Sequence, residues 1–327
     1  NSIGNAKVGI FPCKLTYAAV NDINYEPFPV FQAYAAYTDY LDTLNATYLN
    51  NTKTAPTFIL MEWMAIDGRH PLADVPAMWL SMYKWYDTYL AEGEKLLLKR
   101  RETPRFTDVI AISKKNYRKD ATIEIPESNH PVLIRINMRL NTIGHLAKFL
   151  FKIPEVKMSL TVGDYGHSDF RTIPDVLSDG LVINYLPSNL EEVDLLFQNT
   201  ALQKMSALKI IGKGRRFYQD DIHVEFFVLP DLIIDYKTIP AITDLNVLPY
   251  QTLYAIDVIN GQIVHQTTEL IKISQQAEVL TITGWAVDSA GENLAGGIYL
   301  EIDGKLYLGQ YGHDRNDVAI YLKIPAY

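Results

Sequence analysis

The chain has 327 residues, 48% of them hydrophobic and 21% charged, and a formal net charge of −8. That length is material for two or three domains, and the composition excludes collagen, a coiled coil, a disulfide scaffold and intrinsic disorder. The acidic balance supplies no overall basic field for nucleic acid or an anionic membrane surface, and no apolar run approaches the roughly 18–20 residues of a spanning helix.

The first hundred residues alternate strand and helix signals. Lys7-Val-Gly-Ile-Phe-Pro12 predicts a short buried strand stopped by proline, and residues 15–21 a short helix. Tyr25-Glu-Pro-Phe-Pro-Val-Phe-Gln-Ala-Tyr34 reads as extended, because its two prolines exclude helix and its aromatics favour strand. Thr38 is placed to cap a helix whose Tyr40, Leu41, Leu44, Tyr48 and Leu49 share one face. Thr57-Phe-Ile-Leu-Met-Glu-Trp63 predicts a strand. Residues 74–90 predict a long helix with Asp74 as N-cap and Pro76 in its first turn. Lys95-Leu-Leu-Leu-Lys-Arg-Arg101 predicts a further strand. This order predicts an α/β layer structure over residues 1–104.

Near Thr103-Pro104 the pattern changes to strands alone, at 108–113, 121–125, 132–140, 147–151, 156–162, 181–185 and 222–229. Residues 132–140 alternate, with Ile134, Ile136 and Met138 predicted inside and Leu133, Arg135 and Asn137 outside. An antiparallel, jelly-roll-like β-sandwich is expected over residues 105–230. Residues 231–250 carry three prolines and read as a linker, and residues 251–327 read as part of a second β-module. In that module Asp303-Gly304 has the residues of a tight hairpin turn. The fold class is α+β.

Chemistry-bearing motifs are sparse. Cys13 is the single cysteine, so an internal disulfide is excluded, and neither CxxC nor a Cys/His cluster is present; no metal and no cofactor is expected. Signatures of serine hydrolases, zinc proteases and kinases are likewise missing. Ile211-Gly-Lys-Gly-Arg-Arg216 lacks the phosphate-loop pattern and reads as a turn. Gly163-Asp-Tyr-Gly-His-Ser-Asp169 gathers Asp164, His167 and Asp169, which suit acid–base or metal chemistry and equally suit a hairpin loop.

Ile66-Asp-Gly-Arg-His-Pro71 follows a buried strand, and in layered folds ligands sit beyond strand ends, so Asp67, Arg69 and His70 form the leading polar cluster. An Arg–Asp pair that merely holds the loop is the competing reading. The series Tyr25, Phe28, Phe31, Tyr34, Tyr37, Tyr40 suits either a sugar-facing platform or a core segment; Tyr34 and Tyr37 are its candidate binding residues.

Asn24-Tyr-Glu-Pro-Phe-Pro-Val-Phe-Gln-Ala-Tyr-Ala-Ala-Tyr-Thr38, with Ile66-Asp-Gly-Arg69 and Leu97-Leu-Lys-Arg-Arg101 downstream, resembles the soluble portion of large polytopic bacterial membrane proteins of glycosyltransferase-like type. Gly284-Trp-Ala-Val-Asp288, Gly296-Gly-Ile-Tyr-Leu-Glu-Ile-Asp-Gly304 and Tyr311-Gly-His-Asp-Arg-Asn-Asp-Val318 resemble a β-module attached to envelope glycosyltransferases, with Asn316 in place of the module's proline. The resemblance implies a location on the extracytoplasmic side of the bacterial inner membrane. It also implies membrane contact only through segments outside residues 1–327; the ends themselves read as either cut from something longer or trimmed. The expected function is a non-catalytic accessory domain that binds or positions a glycan or lipid-linked sugar, with no nucleic-acid partner. One alternative is a glycan-active hydrolase or transferase using Asp67 or Asp164; another is a structural interaction module.

Overall fold

The computed structural model describes residues 3–236, except 94, 163–165 and 202–203, and beyond them the strands 252–259, 262–263, 282–288, 298–302 and 305–309. Two compact units divide at Thr238 and Ile239. The change of pattern near Pro104 falls inside the first unit, whose α/β part and β-sandwich share one hydrophobic cluster running from Phe11 to Ile234. Among the described residues no helix is long and apolar enough to cross a membrane.

The first part opens with β1 (Val8–Phe11), α1 (Thr16–Val20), α2 (Asp39–Asn50) and β2 (Phe58–Glu62). It continues with α3 (Pro71–Asp74), α4 (Pro76–Trp85), β3 (Tyr86–Glu92) and β4 (Lys95–Arg100). The sheet order is β1-β2-β4-β3, with β1 parallel to β2 and the other pairs antiparallel. Its two faces follow the two-residue period of a strand. Ile59, Met61, Leu96 and Leu98 enter the main core with Trp79, Met82 and Tyr83 of α4. Phe58 and Leu97 join Val8 in a smaller cluster on the opposite face.

Two expectations here are corrected. The helix predicted over residues 74–90 stops at Trp85, with His70 rather than Asp74 as N-cap of the preceding turn; from Tyr86 the chain is a strand paired to β4. Ladder pairing at the sheet edge outweighs local helix propensity there. On α2 Thr38 does cap, accepting the Leu41 amide at 3.3 Å, but the buried face is Asp42, Asn45, Ala46 and Leu49. Tyr40 and Leu44 are exposed.

The second part contains β5 (Ile110–Arg118), β6 (Thr122–Glu124), β7 (Val132–Asn137), α5 (Thr142–Leu150) and β8 (Val156–Val162). There follow β9 (Gly166–Thr172), β10 (Leu181–Val182), α6 (Leu190–Phe197), β11 (Thr200–Ala201), β12 (Met205–Ile211), β13 (Asp221–Val228) and β14 (Asp235–Tyr236). Two four-stranded antiparallel sheets result, ordered β10-β7-β13-β5 and β6-β12-β8-β9. The chain alternates between them in the winding of a jelly roll. A short parallel pair, β11 with β14, lies beside them.

Alternation on β7 holds from Ile134 onward, with Ile134, Ile136 and Met138 buried and Asn137 exposed. Leu133, expected on the wet face, is 1% exposed, because this inner strand is covered on both faces where it begins. The strand predicted at residues 147–151 is instead the end of α5, which Asn141 caps by accepting the Gly144 amide at 2.7 Å. In the second unit β15 (Thr252–Ile259) pairs with β16 (Gln262–Ile263) and β17 (Ile282–Asp288). There β18 (Ile298–Ile302) pairs with β19 (Lys305–Gly309), Ile302 opposite Lys305. The Asp303-Gly304 turn lies outside the described residues.

Candidate functional site

The loop between β2 and α3 places the sequence-predicted cluster. Asp67 and Gly68 both have positive φ, +55° and +66°, and the Arg69 amide donates to the Ile66 carbonyl at 3.0 Å. This four-residue turn needs Asp and Gly at its centre because few other residues tolerate a left-handed backbone. The turn is fastened to the jelly roll: the Arg171 amide of β9 donates to the Gly68 carbonyl at 2.7 Å, and its guanidinium lies 3.1 Å from the Asp67 carboxylate.

Arg69 points inward from this turn. Its Nη1 donates to Asp74 Oδ1 at 3.0 Å and to the Tyr34 carbonyl at 3.3 Å, and the Arg69 and Asp74 side chains are 8% and 6% exposed. Burial pushes the Asp74 carboxyl up to about 7, against the pull of Arg69 and Arg171. His70 is buried between the rings of Trp63 and Phe170, with centroids at 5.3 and 5.2 Å. Its Nε2 lies 2.7 Å from the Pro187 carbonyl, and its Nδ1 accepts the Leu72 amide at 3.2 Å. A carbonyl can only accept and an amide can only donate, so the ring is the neutral Nε2–H tautomer. Burial lowers its pKa to about 4, opposed by the Pro187 hydrogen bond. With both nitrogens committed to backbone, His70 is a structural residue rather than an acid–base group.

Asp67, Arg69 and His70 thus come together with Tyr34, Asp74 and Arg171 as a clamp between the first sheet and the jelly roll. Tyr37 lies apart from that network and is 57% exposed, as are Phe31 at 47% and Tyr40 at 73%. Asp164 lies outside the described residues, as does the side chain of His167. The strands flanking residues 163–165 pair as a hairpin, Val162 opposite Gly166, with Asp169 exposed on β9. The glycine-rich segment at 211–216 forms a 3-10 turn (Lys213–Phe217); a Cβ on Gly214 would stand 2.0 Å from the Pro154 carbonyl oxygen, so its glycine serves close backbone approach.

A second polar group was invisible in the sequence. Asp42 of α2, 0% exposed, accepts the Ala77 amide at 2.8 Å and the Met78 amide at 3.0 Å and so caps α4 from a neighbouring helix. Asn45, one turn on, exchanges two hydrogen bonds with the Val30 backbone at 2.8 and 3.1 Å, holding the aromatic segment against α2. Asp179 lies within hydrogen-bonding reach of Asp39 and Asp42, and burial first, then these carboxylates, raise its pKa. The only hint was two polar residues at helical spacing among apolar neighbours.

Both Asp42 oxygens are spent on α4, so that group is structural as well. Among the described residues no set of three or more His, Cys, Asp or Glu side chains could hold a metal ion. A hollow of about 390 Å³ between β3 and α6, lined by Asp87, Tyr89, Asp194 and Gln198, includes none of the predicted residues. What can meet a ligand at the loop is the partly exposed Asp67–Arg171 pair and the exposed aromatic rings of residues 31–40. Comparison with protein-family models, curated proteins and solved structures returned no match.

Proposed function

We propose that the first unit is a non-catalytic glycan-binding domain of a bacterial envelope membrane protein, acting on its extracytoplasmic side. The observation that carries the proposal is the exposure of Phe31, Tyr37 and Tyr40 within one ten-residue segment that Arg69 ties, through the Tyr34 carbonyl, to the Asp67–Arg171 turn. Exposed aromatic faces stack on the apolar faces of sugar rings, and a carboxylate beside a guanidinium offers acceptor and donor to vicinal hydroxyls. The jelly-roll winding is compatible with this, since lectin domains use it, but fold carries no function by itself. The motif resemblance contributes the envelope setting.

The non-catalytic reading is supported by how the buried groups are used. His70 is neutral and saturated, Asp42 caps a helix, and Asp67 is held by Arg171 rather than poised against a second acid. A glycan array probed with the whole chain, followed by calorimetry on any ligand found, tests the proposal. Binding that weakens in Tyr37→Ala and in Asp67→Asn, which removes the charge but tolerates the positive φ of the turn, with near-parental thermal stability, is the expected result. Turnover of chromogenic glycosides that disappears in Asp67→Ala or Asp164→Ala would establish the enzyme instead. Neither binding nor turnover would leave the interaction module.

A further inference from the structure

The helix α5 presents its large apolar side chains outward. Ile143, Leu146, Phe149 and Leu150 are 67%, 59%, 86% and 63% exposed, and Phe151, just past its end, is 55% exposed. The residues it turns toward the protein are the small ones, Gly144 and Ala147. Gly144 lies so close to the 3-10 turn after β12 that a Cβ there would stand 2.0 Å from the Phe217 carbonyl oxygen. The helix therefore lies flat on the body of the protein, with a continuous apolar ridge facing away. A patch of this kind marks an interaction surface rather than scattered surface hydrophobes.

The charge around the ridge selects the partner. Lys152, Lys213 and Arg216 are exposed and form no ion pair among the described residues, while Lys148 reaches Asp175 only at 3.7 Å. Lys152 follows the helix end, and Arg216 borders its start, where Asn141 Nδ2 donates to the Arg216 carbonyl at 2.9 Å. Lys213 lies in the same 3-10 turn as Arg216, and the nearby acids Asp175 and Glu155 are paired with Lys148 and Lys157. A chain of net charge −8 thus carries local cations beside this exposed apolar helix face. Pairing two copies through this face would set the cations of one against those of the other. An anionic lipid surface neutralises them and accepts a convex ridge without needing a matching pocket.

We propose that α5 is a peripheral membrane-docking helix, its ridge of Ile143, Leu146, Phe149, Leu150 and Phe151 inserted among the acyl chains of an anionic bilayer and its rim of Lys152, Lys213 and Arg216 at the headgroups. The sequence reading assigned membrane contact only to segments outside residues 1–327; this adds a contact within them. It uses none of the residues of the glycan proposal, so each stands or falls alone.

The test is sedimentation of the whole chain with vesicles of phosphatidylcholine containing phosphatidylglycerol, compared with phosphatidylcholine alone. The proposal expects binding to the anionic vesicles that weakens with salt, and a blue-shifted emission of Phe149→Trp when vesicles are added. Phe149→Asp should weaken binding by about tenfold or more, because each buried methylene contributes a factor of about four. Lys152→Glu combined with Arg216→Glu should weaken it on anionic vesicles only. All these positions are exposed, and an unchanged melting temperature confirms that the variants fold. Failure to bind anionic vesicles, or binding indifferent to Phe149→Asp, would overturn the proposal. So would an effect of Phe149→Asp confined to self-association in sedimentation velocity, which would assign the ridge to a second copy.

Discussion

The carboxylate of Asp42, on α2, holds the amide of Ala77, at the start of α4, at 2.8 Å, and so one helix supplies the cap of another. The residue in the cap position of α4, Val75, has no side chain able to accept. Helix starts leave amides without intrahelical partners, and these ones are largely buried. Replacing Asp42 by Ala removes both acceptors, and a loss of about 2–4 kcal/mol is expected in chemical denaturation. Asp42→Asn keeps one acceptor oxygen and should lose roughly half as much. Equal losses for the two variants would show that the cap is not the source.

Asp179 makes stability at this cluster fall as pH rises. Its pKa is raised in the folded chain, chiefly by burial and then by Asp39 and Asp42. Between the ordinary aspartate range near about 4 and that raised value, the unfolded chain has lost a proton that the folded chain retains, so each step up in pH favours unfolding. Asp42, raised to about 6, acts in the same direction. Asp179→Asn supplies a permanent donor of nearly the same shape. Its melting temperature relative to the parent should rise between about pH 5 and about pH 8. A difference that does not change with pH would remove the proton from this account.

His70 acts at the other end of the scale. Its folded pKa is lowered to about 4 from 6.5, so its contribution is complete above the unfolded value and is lost as pH falls through that window. The full loss amounts to about 3 kcal/mol. His70→Gln keeps a donor toward Pro187 but cannot titrate. The variant is expected to be less stable than the parent near neutrality, with the gap closing on acidification toward about pH 4. The aspartates oppose this trend in both proteins and cancel in the comparison. A gap that stays constant would mean that His70 is not held neutral.

Gly144→Ala sets helix propensity against packing. In an exposed helix the change would add about 1 kcal/mol of stability. Here the new Cβ would stand 2.0 Å from a backbone oxygen of Phe217, an atom that no rotamer change can move. Destabilisation of about 2 kcal/mol is expected, read as a lower melting temperature. A stabilised variant would mean that α5 does not lie on the turn at Phe217.

Much of the fold was legible wherever the controlling interaction is local. Thr38 reaches an amide three residues away, the Asp67-Gly68 turn needs positive φ at two neighbouring positions, and β8 alternates buried and partly exposed residues along its whole length. Each of these is a property of a few consecutive residues, so the composition carries it. Even the jelly-roll-like sandwich followed, since its strands are separate alternating runs divided by turn residues.

What the sequence could not determine depended on which surface each residue would meet. The run at residues 147–151 looked like a strand because its apolar residues are aromatic and dense; it is the end of a helix whose large apolar side chains are exposed, so burial never imposed the expected pattern. Tyr86 leaves α4 because β4 offers it a ladder, and Asp42 is buried because the amides it satisfies begin thirty-five residues later. The candidate loop divides the same way. Its turn and its Asp67, Arg69 and His70 were readable from adjacent residues. That Arg69 and His70 are spent holding the layers together, leaving Asp67 and the aromatic rings to face outward, was decided by Tyr34, Arg171 and Pro187. Those partners come from distant parts of the chain, and only tertiary packing brings them within hydrogen-bonding distance.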